Sequence, residues 1–165
     1  MPIRNPIALK EGLAPRTRVL GLDVGTKTIG MALSDTLWMV ATPLSTIRRT
    51  RFRDDARALL AVIDKHQVGA IVIGLPLDLD GGEGRRTQSV RQFARNLLAC
   101  RDLPVTFWDE RFSTSAVERG MIEGDLSRRR RAELIDRAAA AYILQGLLDR
   151  LRSEPSTPPG GNQDD

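Results

Sequence analysis

Short apolar runs alternate with amphipathic stretches between residues 18 and 152 of this chain. Arg18 to Val24 predicts a strand, and an apolar run flanked by glycine is what a strand covered on both faces looks like. Thr28 to Ser34 predicts a second strand, reached through a tight Gly25-Thr26-Lys27 turn. Val40 to Ile47 predicts a third, with Pro43 pointing to an edge or a bulge. Connections this short predict an antiparallel meander. Asp54 to His66 predicts a helix, because Ala56, Leu59, Leu60 and Ile63 fall at i, i+3, i+4 and i+7. Ala70 to Gly74 is an all-apolar strand of the type buried in parallel arrangements. A Gly- and Asp-rich loop from Leu75 to Arg85 leads into a helix with Val90, Phe93, Ala94, Leu97 and Leu98 on one face. Pro104 to Trp108 predicts a fifth strand. Ser115-Ala116-Val117-Glu118 has capping-box form and predicts a short helix; residues 128–151 predict a long one. The order is α/β: a mixed five-stranded sheet, antiparallel meander plus parallel strands, with helices on both faces.

The ends read differently. Residues 1–17 carry three prolines and no period, which predicts a flexible N-terminal arm. Residues 153–165, rich in Pro, Gly and Asp, predict a disordered tail. Residues 18–152 are left as a single domain.

One residue breaks the apolar pattern of the first strand. Asp23 sits in Val19-Leu20-Gly21-Leu22-Asp23-Val24-Gly25, where an uncompensated carboxylate costs several kcal/mol. A bound cation, a basic partner or a cluster of turn N–H groups would compensate it; capping of the Gly25-Thr26-Lys27 turn is the alternative reading. Asp109-Glu110-Arg111 leaves the fifth strand, and sites in α/β sheets form beyond the C-terminal ends of strands. Asp136 precedes Ala139, Ala140, Ile143 and Leu147 by 3, 4, 7 and 11 positions, so it shares the apolar face of the last helix. Inward-pointing acids of this kind suit a hard cation held by oxygen ligands, Mg2+ or Mn2+.

Composition narrows the chemistry. The single histidine, His66, lies near a helix end, and the single cysteine, Cys100, permits no internal disulfide. Histidine triads, Cys-His dyads and His-rich zinc sites have almost no material here. No segment has the apolar length of a membrane span and no secretory h-region is visible, so a cytoplasmic location is expected. The net charge is +4, supplied mainly by arginine, which suits bidentate phosphate contacts. Arginines cluster at Arg48-Arg49-Arg51-Arg53, at Arg85-Arg86 and Arg91-Arg95, and at Arg128-Arg129-Arg130-Arg131. Each run alone is a solvated face; together in a small domain they point to a nucleic-acid backbone. Aromatics are 4% of residues, so base stacking is not expected to dominate. Gly21 to Thr28 lacks P-loop spacing and leads into a strand. Asp78-Leu79-Asp80-Gly81-Gly82 lacks the ligand series of a calcium loop.

Four segments in order carry a resemblance over about residues 18–151. They are Gly21-Leu22-Asp23-Val24-Gly25-Thr26-Lys27-Thr28-Ile29-Gly30, Gly74-Leu75-Pro76-Leu77, Asp109-Glu110-Arg111-Phe112-Ser113-Thr114 and Ile135-Asp136-Arg137-Ala138-Ala139. The chain resembles the YqgF/RuvX family of pre-16S rRNA nucleases and Holliday-junction-resolvase-like proteins. The resemblance implies a ribonuclease H-like fold and a divalent-metal nuclease acting in rRNA processing or junction resolution. It carries Asp23, Glu110 and Asp136 over as catalytic, metal-holding acids, with Asp109 and Glu133 as further candidates. Lys27, Arg85, Arg86, Arg111 and Arg128 to Arg131 are the expected nucleic-acid contacts. The family usually has lysines one turn before the helix aspartate; Ala132 and Glu133 stand there instead. The partner would be structured RNA or branched DNA, met by a monomer or, for two symmetric cuts, a homodimer. The competing readings are a non-catalytic binding module on the same fold and an actin- or sugar-kinase-like ATPase. The latter needs two such domains around its nucleotide.

Overall fold

The computed structural model describes residues 3–110 and 128–153. Its five strands are β1 (Arg18–Val24), β2 (Thr28–Ser34), β3 (Ala41–Arg48), β4 (Val68–Leu75) and β5 (Val105–Asp109). They form one sheet in the order β3-β2-β1-β4-β5. β1 pairs antiparallel with β2 and parallel with β4, so β1 lies at the centre, where the two strand senses meet. β2 and β3 are antiparallel, and β4 and β5 parallel. Pro43 lies on the edge strand and also at a register shift, where Met31 faces Ser45 but Ala32 faces Pro43. A residue without an N–H is tolerated at both kinds of place.

Helices α1 (Phe52–His66) and α2 (Arg85–Cys100) cover one face. Acids Asp54 and Asp55 in the first turn of α1 and Lys65 and His66 in its last suit the helix dipole. Gln67 ends α1 in the left-handed conformation, donating its N–H to the Ile63 carbonyl. Alternation along each strand decides what this face receives. Leu20, Leu22 and Val24 of β1, Ile29 and Met31 of β2, and Ile71 and Ile73 of β4 pack there against Leu59, Ile63, Phe93 and Leu97. The opposite face is covered by α3 (Arg128–Ser153) through Ala140, Ile143, Leu144, Leu147 and Leu148. Each large side chain fully buried there contributes about 1.5–3 kcal/mol.

Many of the strand residues under α3 are small: Gly21, Gly30, Ala32, Ala70 and Gly74. A Cβ on Gly21 would lie 2.8 Å from Leu144 Cβ and 3.0 Å from the Ala140 carbonyl oxygen. Helix and sheet backbones therefore approach closely, and both partners contribute: alanines on the helix, glycines on the sheet.

The N-terminal segment differs from the loose arm expected of it. Ile3 bridges Val105, the Arg4 N–H donates to the Val105 carbonyl at 2.7 Å, and Leu9 is fully buried. Its neighbour Trp38 donates its indole N–H to the Thr17 carbonyl at 2.8 Å. Prolines at 6 and 15 shape a path across the domain here and leave Leu9 free to pack under α3. The short helix expected from Ser115 and the tail beyond residue 153 lie outside the described residues. No helix among the described residues is long and apolar enough to cross a membrane.

Candidate active site

Asp23 is the penultimate residue of β1. Val19 packs under α3, so alternation puts Gly21 and Asp23 on that same face. The strand then stops in a turn closed by the Gly25 N–H donating to the Thr28 carbonyl at 2.8 Å. Directly opposite Asp23 in the antiparallel register is Gly30. A Cβ at Gly30 would overlap the Asp136 carbonyl group. Glycine at this one position therefore lets the α3 backbone rest on the sheet beside Asp23, and it brings two acids far apart in sequence into one neighbourhood.

Strand parity also separates the Asp109-Glu110 pair. Val105 belongs to the layer under α1 and α2, so Phe107 and Asp109 follow it, while Trp108 and Glu110 face α3. The Glu110 N–H still reaches the Leu75 carbonyl at 3.4 Å, continuing the ladder by one residue. Asp109 is exposed and Glu110 half-buried. Gly74 lies between β1 and Glu110, and a Cβ there would meet the Glu110 carboxylate and Ile143 Cδ1. With that space open, the Glu110 and Asp23 carboxyls share a hydrogen bond.

Asp136 accepts a short hydrogen bond from the Thr28 hydroxyl. Thr28 lies on the α3 face of β2, in parity with Gly30 and Ala32. Glu133, one turn earlier, is anchored through its carbonyl, which accepts from the Thr46 hydroxyl at 2.9 Å, and its carboxylate lies 3.5 Å from Arg48. Among the described residues, no three His, Cys, Asp or Glu side chains are gathered into a metal cage. Asp23 and Glu110 hydrogen-bond each other, while Asp136 turns to Thr28.

Burial raises the carboxyl pKa values of all three acids. Asp23 is pushed up to about 6, first by burial and then by the Asp136 charge, with the Arg86 guanidinium opposing. Glu110 is pushed up to about 7 by burial and by Asp23. Asp136 is raised by burial and by the Glu133 charge, against the Thr28 hydrogen bond. The Asp23–Glu110 pair thus retains a proton close to neutrality, because two carboxylates in contact resist joint ionisation. Groups that bind protons more tightly when folded stabilise the fold at low pH and lose that contribution as pH rises through the folded values. Thermal melts in chelator should therefore fall between about pH 5 and 8, by on the order of 3 kcal/mol, and Glu110→Gln should flatten the profile. A wild-type midpoint that stays level over this range would contradict the shared proton.

A cleft of about 950 Å³ opens at Asp136, lined by the Gly25–Thr28 turn, Arg48, Arg49, Arg86, Arg128, Ala132, Glu133 and Asp136; Asp23 and Glu110 are not in its lining. Of the expected nucleic-acid contacts, Lys27, Arg86 and Arg128 stand on this wall. Arg85, Arg130 and Arg131 do not line it, and Arg111 and the side chain of Arg129 lie outside the described residues. Arg86 donates to the Val24 carbonyl at 3.1 Å, which holds its charge near the Asp23–Glu110 pair. Of the basic run Arg48-Arg49-Arg51-Arg53 noted in the sequence, Arg48 and Arg49 line the cleft; Thr28 was missed as a site residue. The signal for Thr28 was its parity with Gly30 and Ala32 on a face that also carries Asp23.

The family pattern "RuvX: Holliday junction resolvase" matches residues 17–150. A Paramagnetospirillum magneticum protein named "Putative pre-16S rRNA nuclease" is 60% identical over 149 residues, covering 90% of this chain and 96% of that protein. One of the same name from Paracoccus denitrificans is 60% identical over 152 residues, 92% of this chain and 96% of its own length. Among solved structures, T. thermophilus RuvC bound to a Holliday junction substrate superposes with a TM-score of 0.51 at 15% identity, covering 82% of this chain and 96% of that one. The Fowlpox virus resolvase–junction complex gives 0.52 at 10% identity, covering 82% and 99%. These two likenesses establish the fold as ribonuclease H-like. With the pattern spanning nearly the whole sheet and α3, and with relatives this similar along their full lengths, the chain belongs to the RuvX family.

Proposed function

We propose that the protein is a divalent-cation-dependent endonuclease that hydrolyses phosphodiester bonds in structured nucleic acid, with the 5′ end of pre-16S rRNA as the leading substrate and branched DNA as the second. The observation that carries this reading is the hydrogen-bonded Asp23–Glu110 pair on the α3 face of the sheet, with Asp136 next to it in a cleft lined by lysine and arginine. The names of the 60%-identical relatives favour the rRNA substrate, and the family description favours the junction. Either would be met in the cytoplasm.

The donor set fits Mg2+ or Mn2+, which take carboxylate oxygens and leave other positions to water and substrate phosphate. Asp23, Glu110 and Asp136 would hold the cation, with Glu133 as an outer carboxylate; Asp109, on the opposite side of the strand, would not. Bound in pairs, such ions activate a water and stabilise the leaving oxygen of an in-line displacement. The chain's own contribution is threefold. Asp23 and Glu110 present two carboxyl groups in hydrogen-bond contact on the α3 face, which would serve as oxygen ligands in their anionic form. Asp136 is kept at the cleft by Thr28 and by the Gly30 contact. Lys27, Arg86 and Arg128 on the cleft wall would meet the phosphates of the nucleic-acid backbone.

The test is cleavage of a pre-16S 5′-end transcript and a four-way DNA junction side by side, each with Mg2+, Mn2+ or chelator. Cation-dependent cleavage of the transcript at one position is the expected result. Paired symmetric nicks in the junction alone would move the assignment to DNA and require two copies of the chain. Tight, salt-sensitive binding with no turnover in any cation would leave only a binding module.

A further inference from the structure

Arg49 stands where β3 hands the chain to α1, and three elements converge on its side chain. Its Nη1 donates to the Gly25 carbonyl at 2.7 Å, in the turn that follows Asp23. Its guanidinium carbon lies 5.5 Å from the centre of the Phe93 ring of α2. Its Nε lies 3.9 Å from Asp55 Oδ2 in the first turn of α1. The Arg49 N–H donates to the Lys27 carbonyl at 2.8 Å, so backbone and side chain both tie it to the β1–β2 turn.

Asp55 is unusual among the acids outside the site. It is 2% exposed. Its Oδ1 accepts from the Thr50 N–H at 3.0 Å and from the Thr50 hydroxyl at 3.3 Å. Its Oδ2 has no hydrogen-bond partner among the described residues. A buried carboxylate with one bare oxygen needs a counter-charge, and Arg49 is the cation facing it. Yet Arg49 is not sealed in. Its side chain keeps about a quarter of its surface open (25%) and lines the cleft beside Lys27 and Arg86. A guanidinium has five N–H donors, and one of them is used on Gly25. A carboxylate, a carbonyl and a ring surround the guanidinium on its protein side.

We propose that Arg49 is a phosphate-binding residue of the nuclease cleft and that the buried Asp55 is the residue that positions it. The proposal rests on the nuclease reading above. It adds to that reading an arginine braced against the turn that follows Asp23, where a backbone phosphate of the bound strand would meet a partner already ordered before binding. Pre-ordering saves side-chain entropy on association.

The test separates gripping from scaffolding. Binding of the four-way junction and of the pre-16S transcript is measured in chelator, as a function of salt, with melting curves for every variant. Arg49→Ala should weaken binding roughly tenfold and lower the magnitude of the salt slope by about 0.7–0.9. Arg57→Ala, on the exposed side of α1, removes the same charge away from the cleft and should leave the slope unchanged. Arg49→Ala also strands Asp55, so its melting point should drop. The double variant Arg49→Ala/Asp55→Asn should recover the melting point and still bind as poorly as Arg49→Ala. Asp55→Asn alone should weaken binding with the slope retained, since Arg49 remains but is no longer held. Recovery of binding together with stability in the double variant would show a strut and overturn the proposal. Unchanged binding by Arg49→Ala, or an equal loss in Arg57→Ala, would overturn it as well. If wild type binds neither probe, the nuclease reading falls too; if wild type binds and Arg49→Ala binds equally, only this inference falls.

Discussion

Asp23→Asn should abolish cation-dependent cleavage, by 10³-fold or more (about 4 kcal/mol of barrier), and should raise the melting point of the cation-free protein at pH 8. The two effects have opposite signs for one reason. Asp23 is held among Glu110, Asp136 and low-dielectric strand residues, where burial and like charge disfavour its ionised form. At pH 8 the folded protein must nonetheless ionise it. Asparagine keeps the shape and a hydrogen-bond acceptor for Glu110 and removes the charge, which should stabilise the fold by on the order of 2 kcal/mol. It also removes a carboxylate proposed to hold the cation. Strain of this kind, kept where function needs it, is the usual stability–activity trade-off. Nucleic-acid binding in chelator should survive, since the phosphate-facing cations are untouched. Undiminished cleavage by Asp23→Asn would sink the assignment of this acid.

Gly30→Ala should be the most damaging glycine-to-alanine change among the described residues. The added carbon would overlap the Asp136 carbonyl, which is helix backbone and cannot swing aside as a side-chain tip can. Overpacking typically costs 1–3 kcal/mol; with backbone on one side and a central sheet on the other, about 3 kcal/mol or more is expected. Cleavage should fall further than stability accounts for. Lifting α3 at this point draws Asp136 from Thr28 and from the neighbourhood of Asp23. Denaturant melts together with cleavage rates at a temperature where the variant is fully folded would separate the two losses. A variant with wild-type midpoint and rate would show that α3 does not rest on Gly30.

Much of this layout was legible in the residues. The strand runs, the Pro43 irregularity and the amphipathic helices each follow from a local period, and the fold class followed from their order. Asp136 was legible because a carboxylate on a helix face otherwise made of Ala, Ile and Leu is conspicuous. What was not legible depended on contacts between distant segments. The choice between Asp109 and Glu110 needed the knowledge that α3, and not α1 or α2, covers the face shared by Trp108 and Glu110. No local pattern marks Asp55, in the first turn of α1, as buried; that depends on its contact with Arg49. Gly30 read as one more motif glycine, since no local pattern reports that a helix backbone rests on it. Leu9 was hidden by its setting, because an isolated leucine among prolines has no period to announce that it is buried.

The bond from Thr28 to Asp136 joins residues 108 positions apart, and that separation bears on the life of the protein before it is finished. The meander and the β4–β5 layer can assemble as they emerge during synthesis, at about 5–20 residues per second. The third acid arrives only with the last helix. A nascent chain would therefore carry basic, RNA-attracting surface for several seconds with no complete set of carboxylates. An enzyme made by ribosomes, and proposed to cut their RNA, is thus unarmed until its final helix has left the machine that builds it.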